Sequence, residues 1–309
     1  MPTAALQKRL GERLLKDESL ARYTAARLGG SADWLYVVRD SVDELAEVVS
    51  EAWAEGVPVR LLGGGANVLI SDKGIRGLTV INKVSEVTFG DWHDGRSACA
   101  TSGTALTTMA NRCQAQGLTG MEWAAAVPGT VGGAIVNNAG AHGMDTAQSV
   151  ADVVVLEAGR GPKLYTADDM DYGYRHSMLK ARENQDYLVL LATFTLAKDD
   201  PAAIRERMTE FNNYRKETQP PGASLGSIFK NPDGDFAGRL IEGAGLKGHR
   251  IGNAMVSPVH ANFFINIPDS ATPASAEDYR ALIDYVREKV AADSGIELEL
   301  EIELVGEWD

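Results

Sequence analysis

Two stretches of the chain combine glycine with other small residues densely enough to bring bare backbone up to a ligand. One is LGGGANVL at 62–69, containing Gly63, Gly64, Gly65, Ala66 and Asn67. The other is AAAVPGTVGGAIVNNAGAHG at 124–143, with Pro128, Gly129, Thr130, Gly132, Gly133 and Ala134 at its centre. With no side chains in the way, N–H groups in such loops can be aimed at an anion. Neither stretch reads Gly-x-x-x-x-Gly-Lys-Ser/Thr, and neither gives Gly-x-Gly-x-x-Gly opening a helix with an acidic residue about twenty positions on. The nucleoside triphosphatase loop and the dinucleotide fingerprint are therefore set aside. One such cluster is as readily a tight turn; two long ones point to a cofactor that carries phosphate.

Three further segments bring reactive side chains. YGYRHS at 172–177 puts Arg175, His176 and Ser177 in one loop. A guanidinium there suits a two-pronged grip on a carboxylate, although a loop arginine taken alone is a surface charge. SLGSIFKNPDG at 224–234 can aim the Ser227 hydroxyl and the Lys230 ammonium into one small volume. No histidine stands beside Ser227 as its base, so hydrolase-type serine chemistry has little support. The closing run IELELEIELV at 296–305 alternates apolar residues with Glu297, Glu299, Glu301 and Glu303, the pattern of a strand with one solvated face. A glutamate withdrawn from water at a ligand, among such neighbours, would hold a proton and act as an acid. Alternation does not choose among the four. The five histidines are scattered without metal-ligand spacing. His142, in the second glycine stretch, is placed either to touch a cofactor or to make ordinary loop hydrogen bonds, and His260, ahead of a strand, to cap or pack.

The elements that must hold these residues are legible from periodicity. The amphipathic amino terminus reads as a helix, residues 34–38 as a strand, and residues 42–54 as a helix capped by Asp40 or Ser41. Residues 58–62 form a strand entering the first glycine cluster and residues 78–81 one leaving it. Short strands follow at 86–89 and 98–102, then a helix at 106–115 that stops at Gly117. Strands at 150–157 and 187–196 flank the turn-rich insert carrying YGYRHS. Asp200 and Pro201 start a helix, residues 237–243 form a small-residue helix, and residues 262–267 a strand. Ser275 with Asp278 three positions on gives a capping box for the last helix, and residues 296–305 close the chain as a strand.

The chain has 309 residues, enough for two or three domains with real cores. Its formal net charge of −13, without blocks of Lys and Arg, argues against a nucleic-acid surface. No run approaches transmembrane length, and the amino terminus lacks the apolar core of a signal peptide, which places the protein in the cytoplasm. Cys99 and Cys113 lack metal-ligand spacing and read as buried thiols, so no metal site is expected.

Taken together, RLGGSADWL, LLGGGANVLISDKGIRGLTVI, the second glycine stretch, YGYRHS, PPGASLGSIFKNP, AGRLIEGAGLKGHRIGNAMVSPVHANFFIN and ELELEIELVG resemble the UDP-N-acetylenolpyruvoylglucosamine reductases. These flavoenzymes complete UDP-N-acetylmuramate for bacterial peptidoglycan. The resemblance covers nearly the whole chain in the family's order. YRHS, GSIFKNP and the acidic terminal run narrow it from the wider FAD fold shared with lactone and hydroxy-acid oxidases. It implies an α+β protein: a two-subdomain FAD-binding fold of the vanillyl-alcohol-oxidase type at 1–82 and 83–199, then a C-terminal α/β substrate domain at 200–309 whose last strand can return to the first subdomain.

It also implies non-covalent FAD on the two glycine stretches, NADPH as reductant, and UDP-N-acetylglucosamine enolpyruvate as substrate. No membrane insertion and no obligate protein partner are implied. By position, Arg175 corresponds to the family's catalytic arginine, Ser227 to its proton donor and Glu301 to its catalytic glutamate. Lys230, Asn231 and Lys247 become contacts to the sugar nucleotide. The chain departs from the pattern at Glu303, where many relatives carry arginine, and at residues 23–27, a looser match to the usual threonine-containing approach to the first glycines. Little chain separates Tyr187 from the helix at Ile204, which implies the shorter subtype without the substrate-covering insert. The alternative is another FAD oxidase or dehydrogenase of the wider fold acting on a hydroxy acid or sugar.

Overall fold

A computed structural model of the chain describes residues 4–92, 96–182, 184–267, 272 and 274–308. The chain builds two compact units from interleaved stretches. The first comprises Met1–Lys16, Trp34–Gly64 and Gly77–Tyr214, the second Asp17–Asp33, Gly65–Arg76 and Arg215–Asp309. Strands and helices are mixed in both, and the fold is α+β.

In the first unit, helix Val42–Ala54 buries Leu45, Val48, Val49 and Ala52, the positions that a 3.6-residue period puts on one face. Of the two possible caps it uses Ser41, whose side chain accepts from Glu44 N at 3.0 Å. Strand Val59–Leu62 runs parallel to Ile75–Asn82, with Val59 opposite Leu78 and Leu62 opposite Ile81. A parallel pair cannot be closed by a tight hairpin. The intervening chain is where the first glycine cluster sits.

The expected amino-terminal helix is short. It spans Ala4–Leu10, and Leu14–Ser19 is a strand. Leu6, Leu10 and Leu14 have helical spacing and all three are buried, but Gly11 turns the backbone left-handed at φ +53 and ends the helix between them.

The same unit holds a larger antiparallel sheet with the strand order Gly161–Thr166, Val150–Glu157, Tyr187–Lys198, Arg96–Thr101, Val87–Gly90. Helices Leu106–Ala115 and Val131–Asn137 contribute Met109, Cys113, Val131 and Ile135 to the core that includes Val153, Val155 and Phe194 of that sheet. Trp123 is core, at 1% exposure. Cys113 is buried, which pushes its thiol up to about 12. Cys99 is only half-buried, against the expectation of two buried thiols, because its strand position leaves part of the side chain accessible. Two residues separate strand Tyr187–Lys198 from helix Pro201–Thr218, too few for an insert.

In the second unit, strands Ser224–Ser227, Phe263–Asn266, Ala254–Val256 and Arg250–Ile251 lie side by side in that order. Helix Ala276–Ser294 covers them with Tyr279, Leu282, Ile283, Val286 and Val290, and its Ser275–Asp278 capping box forms as the sequence requires. The closing run is a strand only at Glu303–Val305, parallel to Val68–Ile70. Upstream it makes a single bridge, Leu300 with Phe229, because Glu299 and Glu301 pair their backbones across the Ile228–Lys230 turn rather than along a neighbouring strand. Among the described residues, no helix is long and apolar enough to cross a membrane.

Candidate active site

The first unit brings the start of the first glycine stretch against the centre of the second. A methyl group added to Gly64 would stand 3.2 Å from Gly129 Cα, and one added to Gly63 would overlap the Thr130 side chain. Close approach of the two backbones is what demands glycine here. Thr130 caps helix Val131–Asn137, its hydroxyl facing Gly133 N at 3.5 Å. At Gly129 the direction a side chain would take is open, at Gly133 it would meet the Thr130 hydroxyl at 3.8 Å, and Pro128 and Gly133 are exposed. Gly132 and Ala134 face inward: a methyl on Gly132 would lie 2.9 Å from Ser102 Cβ, and Ala134 is 2% exposed. The result is a bare backbone ledge, open on one side, of the kind a flat anionic cofactor needs. FAD fits it.

Arg175 sits in the same unit, at the second corner of a hairpin closed by Gly173 N to His176 O (3.2 Å) and His176 N to Gly173 O (3.1 Å). Its φ of +54 is uncommon for a side-chain-bearing residue and costs roughly 1–2 kcal/mol. The guanidinium donates to Gly140 O at 3.0 Å and Asn138 O at 3.4 Å, both carbonyls of the second glycine stretch. Ser177 ties the hairpin's exit to the same stretch, its hydroxyl donating to Val136 O at 2.6 Å. Preceding the hairpin, the buried Tyr172 hydroxyl is held neutral, pushed up first by burial and then by the Asp145 carboxylate. His142 stacks flat on Phe211 at 4.1 Å, so its ring is committed to helix Pro201–Thr218.

The second unit holds the other reactive groups. Gly65 has φ +59, and a methyl there would overlap the Tyr23 carbonyl oxygen. Ala25 N donates to Gly65 O at 2.9 Å, so residues 23–27 cradle the first cluster despite their departure from the family pattern. Ala66 is half-buried, and Asn67 reaches the closing run: its Nδ2 donates to Glu301 O at 3.2 Å and its carbonyl accepts from Glu303 N at 2.9 Å. On its other side that run is stitched to the serine turn by Glu301 N to Ile228 O (2.9 Å) and Lys230 N to Glu299 O (2.8 Å). Ser227 and Glu301 therefore share one backbone frame.

The four glutamates are now distinguishable. Glu297, Glu299 and Glu303 are exposed, while Glu301 is half-buried. Glu299 pairs with Lys230 at 2.6 Å and Glu242 with Lys247 at 2.8 Å, and Asn231 Oδ1 accepts from Ala237 N at 3.1 Å. Among the described residues the Ser227 hydroxyl makes no hydrogen bond, which leaves it available to a ligand. No cluster of three or more His, Cys, Asp or Glu side chains forms a metal site among them. His260 accepts from Asn262 N at 3.2 Å and packs on Phe263, as its position implied.

Two buried asparagines that sequence reasoning missed hold these loops. Asn138 carries a left-handed cap at the end of helix Val131–Asn137, and Asn262 pairs with both backbone groups of Phe229. An asparagine closing a small-residue helix before Ala-Gly is the one signal that could have found Asn138.

The chain is similar to known proteins over nearly its whole length. Residues 35–157 match the model of an FAD binding domain, and residues 217–305 that of the UDP-N-acetylenolpyruvoylglucosamine reductase C-terminal domain. UDP-N-acetylenolpyruvoylglucosamine reductase of Rubrobacter xylanophilus is 42% identical over 291 residues, covering 94% of this chain and 95% of its own. The enzyme of the same name from Synechococcus sp. CC9311 is 41% identical, covering 95% of this chain and 93% of its own. The crystal structure of the Thermus caldophilus reductase superposes with a TM-score of 0.78 at 32% identity, over 94% of this chain and 98% of that one. The chain belongs to the UDP-N-acetylenolpyruvoylglucosamine reductase family.

Proposed function

We propose that this protein reduces the enolpyruvyl ether of UDP-N-acetylglucosamine enolpyruvate to give UDP-N-acetylmuramate, with Arg175, Ser227 and Glu301 as the groups that act on the substrate. Bound FAD, with NADPH as its reductant, would supply the hydride equivalent for the methylene carbon. Gly63, Gly64, Gly65, Ala66 and Asn67, with Pro128, Gly129, Thr130, Gly132, Gly133 and Ala134, would hold FAD. For Gly132 and Ala134 the contact would be through backbone, their side-chain directions being filled.

Negative charge builds toward the substrate carboxylate as the double bond is reduced. Arg175 meets that charge with its guanidinium, and Glu301 contributes a hydrogen bond to it. Ser227 delivers the proton to the carbon bearing the ether oxygen. Lys230, Asn231 and Lys247 contact the sugar nucleotide, the two lysines exchanging Glu299 and Glu242 for its charged groups. Residues 1–82 and 83–199 serve as the FAD subdomains and 200–309 as the substrate domain. The protein works in the cytoplasm on a small-molecule substrate, without nucleic acid, membrane insertion or an obligate protein partner.

The observation that carries this reading is the frame joining Ser227 to Glu301, with a hydroxyl that makes no hydrogen bond among the described residues and one half-buried carboxylate among exposed neighbours. Anaerobic stopped-flow absorbance tests it: FAD-loaded protein is reduced with NADPH, then mixed with UDP-N-acetylglucosamine enolpyruvate. Fast flavin reoxidation with formation of UDP-N-acetylmuramate is the expected result. A flavin that reduces but stays reduced until oxygen is admitted would overturn it in favour of an oxidase.

A further inference from the structure

We propose that Asn138 is a positioning residue for Arg175, a buried amide that clamps the arginine hairpin to the second glycine stretch. The inference rests on the reading of Arg175 given above. Asn138 is 2% exposed and left-handed, at φ +43. Its side chain makes three hydrogen bonds: Nδ2 donates to Gly173 O at 2.9 Å and to Asp145 Oδ2 at 3.2 Å, and Oδ1 accepts from Ala147 N at 3.0 Å. Both amide hydrogens and one acceptor position are in use.

Gly173 is where the hairpin begins, and its carbonyl is the atom that also receives His176 N. One amide therefore pins the foot of the hairpin. The arginine at its corner reaches back to the carbonyl of the same asparagine, and to Gly140 O two residues on. Foot and guanidinium are thus referred to one residue. Arg175 keeps its left-handed backbone only because the surroundings over-determine it. Removing the clamp lets that corner relax and the guanidinium shift.

Neither of the residues that best tolerate this backbone keeps the clamp. Aspartate keeps the size and tolerates the left-handed backbone but donates nothing, and sets a carboxylate against Asp145 and the Gly173 carbonyl. Glycine keeps the backbone and deletes the clamp.

The test uses FAD-loaded full-length protein carrying Asn138→Asp, Asn138→Gly, Arg175→Met, and Asn138→Gly with Arg175→Met. Four quantities are read: flavin content, flavin reduction by NADPH, flavin reoxidation by UDP-N-acetylglucosamine enolpyruvate, and amide hydrogen exchange across residues 173–177. The two Asn138 variants are expected to keep FAD and reduce at the wild-type rate, while reoxidation falls on the order of 100-fold and exchange at 173–177 rises. Adding Asn138→Gly to Arg175→Met should cost nothing more.

Wild-type reoxidation in both Asn138 variants beside a slow Arg175→Met would overturn the clamp and leave the arginine's role standing. A fast Arg175→Met would remove the arginine's role and the clamp with it. Additive losses in the double variant would mean that Asn138 acts other than through Arg175, which also overturns the proposal. Should Asn138→Asp fail to fold, Asn138→Gly decides.

Discussion

Asn262 offers the sharpest quantitative test of how the serine turn is built. It is 2% exposed and its amide is spent wholly on Phe229, accepting from Phe229 N at 3.0 Å and donating to Phe229 O at 2.8 Å. Phe229 itself is completely buried. Asn262→Ala leaves one buried N–H and one buried carbonyl unpaired, each worth about 1–3 kcal/mol, so the expected loss is roughly 2–6 kcal/mol. Two other bonds survive the substitution, Asn262 N to His260 Nδ1 and Ile228 N to Asn262 O, because they belong to the backbone or to another side chain. They keep the strand in place and confine the loss to the turn.

Urea unfolding of wild type, Asn262→Ala and Asn262→Asp measures the cost. Aspartate can still accept from Phe229 N but faces Phe229 O with a second oxygen, so it should be destabilised at least as much as alanine. Ser227 lies two residues before Phe229 and Lys230 follows it. Flavin reoxidation should therefore slow in the alanine variant even where it remains folded. A stability within about 0.5 kcal/mol of wild type, the range of an ordinary surface substitution, would refute the reasoning, since it would mean that Phe229 finds other partners at no cost.

Ser227→Ala should retain FAD and accept electrons from NADPH while reoxidation by the enolpyruvyl substrate falls roughly 10²–10⁴-fold; unchanged turnover in stopped flow would remove Ser227 from the mechanism. Glu301→Gln should slow the same step, whereas Glu297→Gln and Glu299→Gln, at exposed positions, should leave it near wild type; equal effects from all three would contradict the distinction drawn between them. Gly65→Ala forces a side chain into φ +59 against the Tyr23 carbonyl, at a cost of at least ~1–2 kcal/mol, and purified protein should show less bound flavin by absorbance. His260 is held below its ordinary value of 6.5, first by burial and then by Lys247. The fold therefore favours the neutral ring, the unfolded chain binds the extra proton, and stability is lost as pH falls below that value. Urea midpoints measured from about pH 7.5 to about 5 should drop more steeply in wild type than in His260→Gln.

Much of this protein was determined locally, and local elements were legible for that reason. Helices Val42–Ala54, Leu106–Ala115 and Ala237–Gly243 and strand Val150–Glu157 lie where their patterns put them, because one buried face and the caps or breaks at their ends suffice to define them. The capping box at Ser275 is likewise a short-range signal. The amino terminus was misread because Leu6, Leu10 and Leu14 share a helical period yet serve two elements divided at Gly11. The closing run was misread because alternation describes which faces are wet, and turn backbone can satisfy that as well as a strand can.

Residue types alone left the roles of the motifs open, and the resemblance of their order to one family supplied them. Which glutamate is partly withdrawn from water was decided only when Glu301 was drawn between Ile228 and Asn67, residues 73 and 234 positions away in the chain. The same holds for Asn138 and Asn262. An asparagine's worth depends on which carbonyls face its amide, and those carbonyls come from distant segments, so no local pattern encodes it.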